Sequence, residues 1–272
     1  MPDQYAVIGN PVEHSKSPLI HAAFASQTGQ DLVYSRLLAP KDAFVATANA
    51  FRARGGRGLN VTLPFKGDAF SFATVLSERA RAAQAVNTLK FESDAIFADN
   101  TDGAGLVNDL LRNLGCNITG RRVLLLGAGG AARGVIEPLL QQRPAQLLVA
   151  NRTLEKARQL SESFRGAFEA ATYTAIAGRQ FDIVINATSA SLAGELPPVP
   201  PGVFAHGALA YDMMYGMRQT PFLAFARAQG AAAFADGLGM LVEQAAESFF
   251  VWRGVRPETA PVLAWLRQTT HD

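Results

Sequence analysis

Residues 123–132, with the sequence VLLLGAGGAA, decide how this chain is expected to fold. An apolar run that ends in the pattern G-x-G-x-x-A is typical of a buried strand turning tightly into a helix, whose N-terminus holds a dinucleotide pyrophosphate. Gly127 permits the tight turn, Gly129 lets the backbone approach the phosphates, and Ala132 allows close helix–strand packing. Free N–H groups and the positive helix end favour the negative charge. We therefore predict a nucleotide-binding turn formed by Gly127, Ala128, Gly129, Gly130 and Ala131.

The end of the next predicted strand, residues 146–150, indicates which dinucleotide binds. NAD-binding proteins usually carry Asp or Glu there for the ribose 2′-hydroxyl. This chain has Asn151, Arg152 and Thr153 instead. Arg152 would attract a 2′-phosphate, so the predicted cofactor is NADP (NADPH). A solvated arginine after a strand is the alternative interpretation of Arg152 taken alone.

The composition is that of an ordinary globular protein. The chain has 272 residues, of which 49% are hydrophobic and 18% charged, with a net charge of +2. The densest basic cluster, Arg52, Arg54 and Arg57, has no interleaved aromatic residues, so a solvated surface is expected there rather than a nucleic-acid contact. The single cysteine, Cys116, excludes an intrachain disulfide and fits a reducing, cytoplasmic location.

Targeting, membrane and metal signals are not evident. The N-terminus lacks a basic region followed by an apolar stretch, and no apolar run is long enough to span a membrane. The four histidines are scattered and, with one cysteine, give no zinc spacing. We therefore expect no nucleic-acid partner, no membrane contact and no metal.

Strands and helices alternate in two series, which predicts an α/β protein with two domains. The first series is expected to form a mainly parallel sheet, and residues 85–91 and 95–98 could pair around Ser93 and Asp94. The break lies near residues 100–103, where a ligand cleft between the domains is expected. Predicted strands are residues 5–9, 32–38, 59–62, 85–91, 95–98, 122–127, 146–150, 182–186 and 208–212. Predicted helices are residues 18–27, 41–54, 102–114, 130–141, 153–164, 237–253 and 260–267. The proline-rich residues 194–202 must form a surface loop.

Polar clusters stand at the predicted strand ends of the first series. They are NPVEHSKSP at residues 10–18, NVTLPFK at 60–66, Asn87-Thr88, and DNTDG at 99–103. Turn formation and helix capping explain many residues of this kind, and Asp102 could simply cap the helix that follows. Their shared position at strand ends is what indicates a binding site.

Three further segments belong with these clusters: the glycine-rich turn, Asn151-Arg152-Thr153, and the stretch DGLGML at residues 236–241. Together they resemble the shikimate dehydrogenase family nearly end to end. The resemblance implies reversible, NADPH-dependent reduction of 3-dehydroshikimate to shikimate, an oxidoreductase step of aromatic amino-acid biosynthesis. It also implies an N-terminal α/β substrate domain of residues 1–101, completed by C-terminal helices in 237–272. The Rossmann-like NADP-binding domain would be residues 102–236.

The resemblance also assigns roles to individual side chains. Ser15 and Ser17 would bind the substrate carboxylate, with Tyr215 closing over that side. Asn151, Arg152 and Thr153 would take the 2′-phosphate, and Met213 and Gly237 would lie near the nicotinamide. The ring hydroxyls and the reacting carbonyl would be held by Thr62, Lys66, Asn87, Asp102 and Gln244.

Elementary chemistry agrees with Lys66 and Asp102 as the catalytic residues. The carbonyl oxygen gains negative charge as hydride arrives, and a positioned ammonium at Lys66 can stabilise and protonate it. Asp102 can orient the neighbouring hydroxyl and pair with Lys66. A surface lysine after a proline turn is the plain alternative for Lys66.

Two other functions stay open. One is a related dehydrogenase that acts on quinate as well as shikimate, or with NAD, and Asn151-Arg152-Thr153 argues against an NAD preference. The other is a non-catalytic NADPH-sensing protein on the same fold, against which the presence of both Lys66 and Asp102 argues. The partner is expected to be the small-molecule substrate, and the chain a monomer or a homodimer.

Overall fold

The computed structural model describes residues 1–216 and 219–269. Contacts divide them into two compact units, Met1–Gly105 with Val242–Thr269, and Leu106–Leu241. The sequence-based boundaries lie at residues 101/102 and 236/237, whereas the contacts group residues 102–105 with the first unit and residues 237–241 with the second. Residues 270–272 of the expected C-terminal extension lie outside the described residues.

The first unit is built on a six-stranded sheet in the order β2-β1-β3-β5-β6-β4. Its strands are β1 (Asp3–Gly9), β2 (Leu32–Leu38), β3 (Gly56–Val61), β4 (Val75–Leu76), β5 (Thr88–Phe91) and β6 (Ile96–Asp99). Its helices are α1 (Ser17–Thr28), α2 (Phe44–Ala53), α3 (Lys66–Phe72), α4 (Glu78–Ala83), the start of α5 (Asp102–Asn108), most of α9 (Leu238–Arg253), and α10 (Ala260–Thr269).

This sheet is mixed, which corrects the expectation of a mainly parallel one. The pairs β1–β2, β1–β3 and β4–β6 are parallel, but β3–β5 and β5–β6 are antiparallel. The physical reason is the short connection between β5 and β6: two neighbouring strands joined by a tight turn must run in opposite directions. The predicted pairing around Ser93 and Asp94 is therefore confirmed, with β5 reversed relative to β3.

A buried aromatic side chain supports the turn that precedes α3. Phe65 is fully buried, and its ring lies 5.4 Å from that of Phe44. Truncation of a buried phenylalanine to alanine typically costs about 3–5 kcal/mol. The core beneath the sheet thus fixes the backbone of Phe65, and with it the position of Lys66, the first residue of α3.

The second unit has a parallel six-stranded sheet in the order β12-β11-β10-β7-β8-β9. Its strands are β7 (Arg122–Leu126), β8 (Gln146–Ala150), β9 (Glu169–Ala171), β10 (Phe181–Asn186), β11 (Phe204–Asp212) and β12 (Ala233–Asp236). Its helices are α6 (Gly130–Gln141), α7 (Leu154–Ser163) and α8 (Pro221–Ala228). Residues 194–202 contain no helix or strand, as their prolines predict.

The strand order of this sheet places a ligand site. The chain proceeds outward from β7 through β8 to β9, then returns to β10 on the other side of β7 and proceeds to β12. The direction therefore reverses between β7 and β10, and ligands of open α/β sheets bind outside the carboxyl ends of the strands at such a point. The turn after β7 is the glycine-rich stretch. Leu124 and Leu126 of β7 are fully buried in the core of the unit, which makes this turn a firmly anchored one.

Several elements lack a strong sequence pattern and were not predicted, namely α3, α4, α8, β4, β9 and β12. A helix is present at the predicted residues 102–114, but only its first part is α-helical. Helix α5 ends at Asn108, and a π-helical segment covers Asp109–Asn113. In the part of the chain that the structure describes, no helix is long and apolar enough to cross a membrane.

Candidate active site and cofactor site

One edge of the first sheet gathers most of the predicted polar residues. Asn60 in β3 pairs with Thr88 in β5, which in turn pairs with Asp99 in β6. Because β5 runs antiparallel to both neighbours, its N-terminal end meets the carboxyl ends of β3 and β6. The residues that flank these ends, Thr62, Lys66, Asn87 and Asp102, are therefore carried to the same edge.

Lys66 and Asp102 form an ion pair at this edge. The Lys66 Nζ donates to Asp102 Oδ2 over 2.5 Å, and the side chains are 25% and 11% exposed, respectively. Both residues begin helices, α3 and α5. The backbone N–H of Asp102 donates to Asn100 Oδ1 over 3.1 Å, so the start of α5 is fixed by its own preceding loop. A half-buried ammonium held by a carboxylate is well placed to give a proton to a bound oxygen.

Asn87 holds the other oxygen of that carboxylate. Its Nδ2 donates to Asp102 Oδ1 at 2.9 Å and to Thr101 Oγ1 at 2.9 Å, and Gln244 Oε1 of α9 lies at 3.3 Å. Its Oδ1 accepts the Thr101 backbone N–H at 2.8 Å. Asn87 is 3% exposed, so these bonds form without competition from water. The structure thus joins Lys66, Asn87, Asp102 and Gln244 in one hydrogen-bonded group.

The group continues into residues that the sequence analysis did not single out as site residues. Asn60 Nδ2 donates to Ser248 Oγ at 2.9 Å, and Ser248 Oγ also lies 2.8 Å from Thr88 Oγ1. Two signals were available in the sequence. Asn60 precedes Thr62 by two residues, which places both on one face of an extended segment, and Ser248 follows Gln244 by four residues, which places both on one face of α9.

Asn60 is hydrogen-bonded to one member of a stacked aromatic pair, Tyr34 and His21. The Tyr34 hydroxyl donates to Asn60 Oδ1 at 2.7 Å, and the His21 ring stacks on Tyr34 with centroids 4.2 Å apart. Neither ring nitrogen of the fully buried His21 has a hydrogen-bond partner among the described residues. Burial lowers the pKa of His21 to about 3, and the neighbouring Asn60 amide opposes this shift. His21 is therefore neutral at physiological pH.

Ser15 lies in the connection between β1 and α1, and Ser17 is the first residue of α1. The Ser17 backbone N–H donates to Ser15 Oγ at 3.3 Å, and Ser17 is 6% exposed. Arg36 of β2 donates from Nε and Nη2 to the Ser15 carbonyl at 3.1 and 2.6 Å. This connection reaches the carboxyl end of β3 as well, since the Asn10 N–H donates to the Leu63 carbonyl at 3.0 Å. The connection between β1 and α1 thus starts at the same sheet edge as the loop that leads to Lys66.

The glycine-rich turn of the second unit has the geometry that a dinucleotide requires. Gly127 has φ +100°, and a Cβ there would lie 3.0 Å from Thr188 Cγ2. No atom would lie within 4 Å of a Cβ at Gly129 or Gly130, so the space over the turn is open. Helix α6 begins there with no acidic residue in its first turn and no side-chain cap. Its first N–H groups can therefore donate hydrogen bonds to a pyrophosphate, and these residues fit the predicted NADP.

The end of β8 fits a 2′-phosphate. Asn151 Nδ2 donates to the Thr153 carbonyl at 2.8 Å, which closes a tight turn and leaves Arg152 exposed at its tip. Burial raises the pKa of nearby Tyr173 to about 12, and the positive charge of Arg152 opposes that shift. The guanidinium therefore places positive charge beside the strand end, where NAD-binding proteins would carry an acid.

The remaining predicted residues lie at the carboxyl ends of the neighbouring strands β11 and β12. The Met213 N–H donates to the Asn186 carbonyl at 3.0 Å, and a Cβ at Gly237 would lie 2.2 Å from the Met213 carbonyl oxygen. Met213 and Gly237 are thus in contact. Tyr215 follows in the same loop, and burial raises the pKa of its hydroxyl. Among the described residues, no three His, Cys, Asp or Glu side chains are grouped so as to hold a metal ion.

Three protein families match successive parts of the chain. Residues 7–89 match the shikimate dehydrogenase substrate binding domain, residues 109–193 match shikimate / quinate 5-dehydrogenase, and residues 237–266 match the shikimate 5′-dehydrogenase C-terminal domain.

Full-length relatives agree with these matches. The shikimate dehydrogenase (NADP(+)) of Nitrosospira multiformis is 62% identical over 99% of this chain and 98% of its own length. Among solved structures, an Ael1 enzyme from Pseudomonas putida is 52% identical with a TM-score of 0.94, covering 97% of this chain and 98% of that one. The shikimate 5-dehydrogenase of Thermus thermophilus, solved in complex with NADP(H) and shikimate, is 31% identical with a TM-score of 0.86, covering 98% and 99%.

Proposed function

The chain belongs to the NADP-dependent shikimate dehydrogenase family, and on that premise we propose that Lys66 and Asp102 carry the chemistry of its reaction. The protein is an oxidoreductase that acts on a CH–OH group and uses NADP(H). Its reaction is the reversible reduction of 3-dehydroshikimate to shikimate, a step of aromatic amino-acid biosynthesis. The ion pair of 2.5 Å between Lys66 and Asp102, set in a buried hydrogen-bonded group, is the observation that supports their role most strongly.

The substrate is a small anion with several hydroxyl groups, and the first unit offers matching donors and acceptors. The Ser15 and Ser17 hydroxyls bind the carboxylate, and Thr62, Asn87 and Gln244 bind ring oxygens through hydroxyl and amide groups. Tyr215 adds a phenol on the carboxylate side. Residues 1–101, completed by helices in 237–272, form the substrate domain on this proposal, and residues 102–236 form the NADP domain.

Bound NADPH supplies the hydride that reduces the carbonyl carbon. Lys66 holds its ammonium near the carbonyl oxygen, stabilises the charge that develops there and donates a proton to it. Asp102 keeps Lys66 in place and accepts a hydrogen bond from the neighbouring substrate hydroxyl. Asn87 fixes the second carboxylate oxygen of Asp102, so the pair needs little rearrangement as charge moves.

The cofactor is held by the second unit. The glycine-rich turn, Gly127 to Ala131, binds the pyrophosphate with backbone N–H groups, and Arg152, between Asn151 and Thr153, binds the 2′-phosphate. Met213 and Gly237 support the nicotinamide. The single cysteine and the use of NADPH favour a cytoplasmic location, and a monomer or a homodimer is proposed as the oligomeric state.

A broader quinate/shikimate activity is the second candidate, favoured by the match of residues 109–193 to a family named for both substrates. The test is an absorbance assay at 340 nm with purified protein, combining shikimate or quinate with NADP⁺ or NAD⁺. We expect the highest kcat/KM for shikimate with NADP⁺. Comparable values with quinate would favour the broader activity, a preference for NAD⁺ would contradict the role of Arg152, and no turnover with any pair would leave a non-catalytic nucleotide-binding protein.

A further inference from the structure

The carboxylate of Asp212, the last residue of β11, is completely buried and accepts four hydrogen bonds. Its Oδ1 accepts from Asn186 Nδ2 and from the Met214 backbone N–H, both at 3.1 Å. Its Oδ2 accepts from the Ser191 hydroxyl at 2.7 Å and the Thr220 hydroxyl at 2.6 Å. This is the full set of acceptor positions of an ionised carboxylate, and none of these contacts takes part in the reaction derived above.

The four donors come from four different places in the second unit. Asn186 ends β10, Ser191 lies in the short helical turn that follows β10, and Thr220 is the N-cap of α8, where its hydroxyl accepts the Leu223 N–H at 3.3 Å. The Met214 N–H belongs to the loop after β11. One buried charge therefore ties the carboxyl ends of β10 and β11 to the start of α8.

Met213 and Met214 sit in the middle of this arrangement, and their backbone is held on every side. The Met213 N–H donates to the Asn186 carbonyl at 3.0 Å, and the Gly237 N–H donates to the Met214 carbonyl at 3.0 Å. Gly237 also packs directly on the Met213 carbonyl. The other end of the network faces the nucleotide turn, since Thr188 donates to Asn186 Oδ1 at 2.7 Å and its methyl group lies against Gly127.

We propose that Asp212 is a positioning residue that fixes the Met213 backbone, and with it the contact that Met213 makes with the nicotinamide. The inference rests on the proposed role of Met213. It also explains why a carboxylate is needed there, because an amide would turn an N–H₂ group towards two of the four donors. Either the Ser191 and Thr220 hydroxyls or the Asn186 amide and the Met214 N–H would then lose their acceptor, and a buried donor without an acceptor is destabilising.

The test is Asp212→Asn, followed by a signal that reports on Met213 directly. Methionine methyl groups are labelled with ¹³C, and the Met213 signal is assigned by its loss in Met213→Leu. In the wild type we expect this signal to move on saturation with NADP⁺. In Asp212→Asn the movement should fall to less than half, and the single-turnover rate of NADPH oxidation by 3-dehydroshikimate should fall about tenfold to hundredfold, the effect of a misplaced reacting group. The Kd of NADPH, measured by fluorescence, should stay unchanged because Arg152 and the glycine-rich turn are intact.

A second variant keeps the proposal testable if Asp212→Asn does not fold. Ser191→Ala removes only one of the four donors. It should reduce both the movement of the Met213 signal and the single-turnover rate, by less than Asp212→Asn does. Ser161→Ala is the matched control: its hydroxyl also donates one hydrogen bond, to the Phe168 carbonyl at 2.8 Å in the same unit, and it should change neither the signal nor the rate.

The possible outcomes distinguish a failure of the inference about Asp212 from a failure of its premise, the proposed contact of Met213 with the cofactor. If the wild-type Met213 signal does not move with NADP⁺, Met213 does not contact the cofactor, and both the premise and the inference are wrong. If the wild-type signal moves, and it moves equally in the Asp212 and Ser191 variants with unchanged single-turnover rates, the inference alone is overturned, even when the melting temperature falls.

Discussion

The substrate half of the protein, in the first unit, and the cofactor half, in the second unit, have proposed sites that are built in opposite ways. In the first unit, the side chains expected to touch the substrate are bonded to one another, as Asn87 shows with its bonds to Asp102 and Gln244. In the second unit, the groups expected to touch the cofactor are backbone N–H groups over an open glycine turn and an exposed arginine. The substrate half is thus a preorganised polar network, whereas the phosphate-binding part of the cofactor half is an open surface.

The difference indicates what each half contributes. Preorganised donors and acceptors stabilise charge as it develops in a reaction, because they do not have to reorient. An open surface with positive charge contributes affinity and selects one cofactor over another. Substitutions in the first unit should therefore change turnover, and substitutions at the phosphate-binding surface should change cofactor binding.

The largest expected effect is that of Lys66→Ala. Without its ammonium, the developing oxyanion is neither stabilised nor protonated, and general acid catalysis typically contributes about a hundredfold to ten-thousandfold. We expect kcat to fall by that order with little change in the Kd of NADPH. Steady-state kinetics and fluorescence titration measure the two. Lys90→Ala is the control, since Lys90 is a partly exposed lysine of the same unit, 3.4 Å from Glu92. Near-normal kcat in Lys66→Ala would remove this residue from the chemical step.

Next in size is Arg152→Ala, which tests the open surface. A hydrogen bond to a charged group contributes about 1.5–3 kcal/mol, so NADP⁺ binding should weaken by that amount. NAD⁺, which lacks the 2′-phosphate, should bind as before. Titration calorimetry with both cofactors makes the comparison, and Arg158→Ala on α7 serves as an exposed control. Equal losses for NADP⁺ and NAD⁺ would contradict the assignment.

The sequence predicted the cofactor half more completely than the substrate half, because the two halves differ in how far apart their contacting residues lie in the sequence. The nucleotide turn is local: an apolar strand, a glycine-rich turn and a helix follow one another within 20 residues. The substrate network is not, because Asn60 meets Ser248 across 188 positions and Asn87 meets Gln244 across 157. The hydrophobic pattern of the sequence carries no information about such distant contacts. Only the family resemblance therefore indicated Gln244, and Ser248 was not predicted.

The same argument applies to the elements of the fold. Where the β-strands of the second unit are apolar runs, their predicted bounds agree with the structure within a few residues. The π-helical segment Asp109–Asn113 was predicted as ordinary helix. Its first residue also makes a contact that local sequence does not indicate, since the hydroxyl of Tyr211, 102 positions away, donates to Asp109 Oδ2 at 2.6 Å. Residue-by-residue roles in the site remain predictions.

A smaller effect tests how tightly the substrate half is buried. His21 has a pKa of about 3 in the folded protein against 6.5 ordinarily. Protons therefore bind the unfolded chain more strongly, and the free energy of unfolding should fall as the pH drops below about 6.5, by about 2 kcal/mol at pH 5. His21→Phe should lose this part of the acid sensitivity. Urea unfolding at pH 7.5 and pH 5 measures it, with the exposed His206→Gln as control. An unchanged pH dependence in His21→Phe would show that His21 is not the group that titrates.

The smallest expected effect concerns Arg36, which donates two hydrogen bonds to the Ser15 carbonyl. Because Arg36 is exposed, the hydrogen bonds that Arg36→Gln removes should contribute about 0.5–1.5 kcal/mol, the range of an ordinary hydrogen bond. We expect the KM for shikimate to rise a few-fold while kcat is kept, since the serine loop loosens and Lys66 is untouched. Arg54→Gln is the exposed control. A fall in kcat with unchanged KM would place Arg36 in the chemistry instead of in the serine loop.

The contrast between the two halves is tested most directly by two double variants compared on kcat/KM, measured with saturating shikimate and limiting NADP⁺. Residues that act as a unit are non-additive, so Lys66→Ala with Asp102→Asn should be scarcely worse than Lys66→Ala alone. Residues that share no partner are additive, so Lys66→Ala with Arg152→Ala should lose the product of the two single losses. An additive Lys66/Asp102 pair, or a Lys66/Arg152 pair no worse than Lys66→Ala alone, would contradict the account.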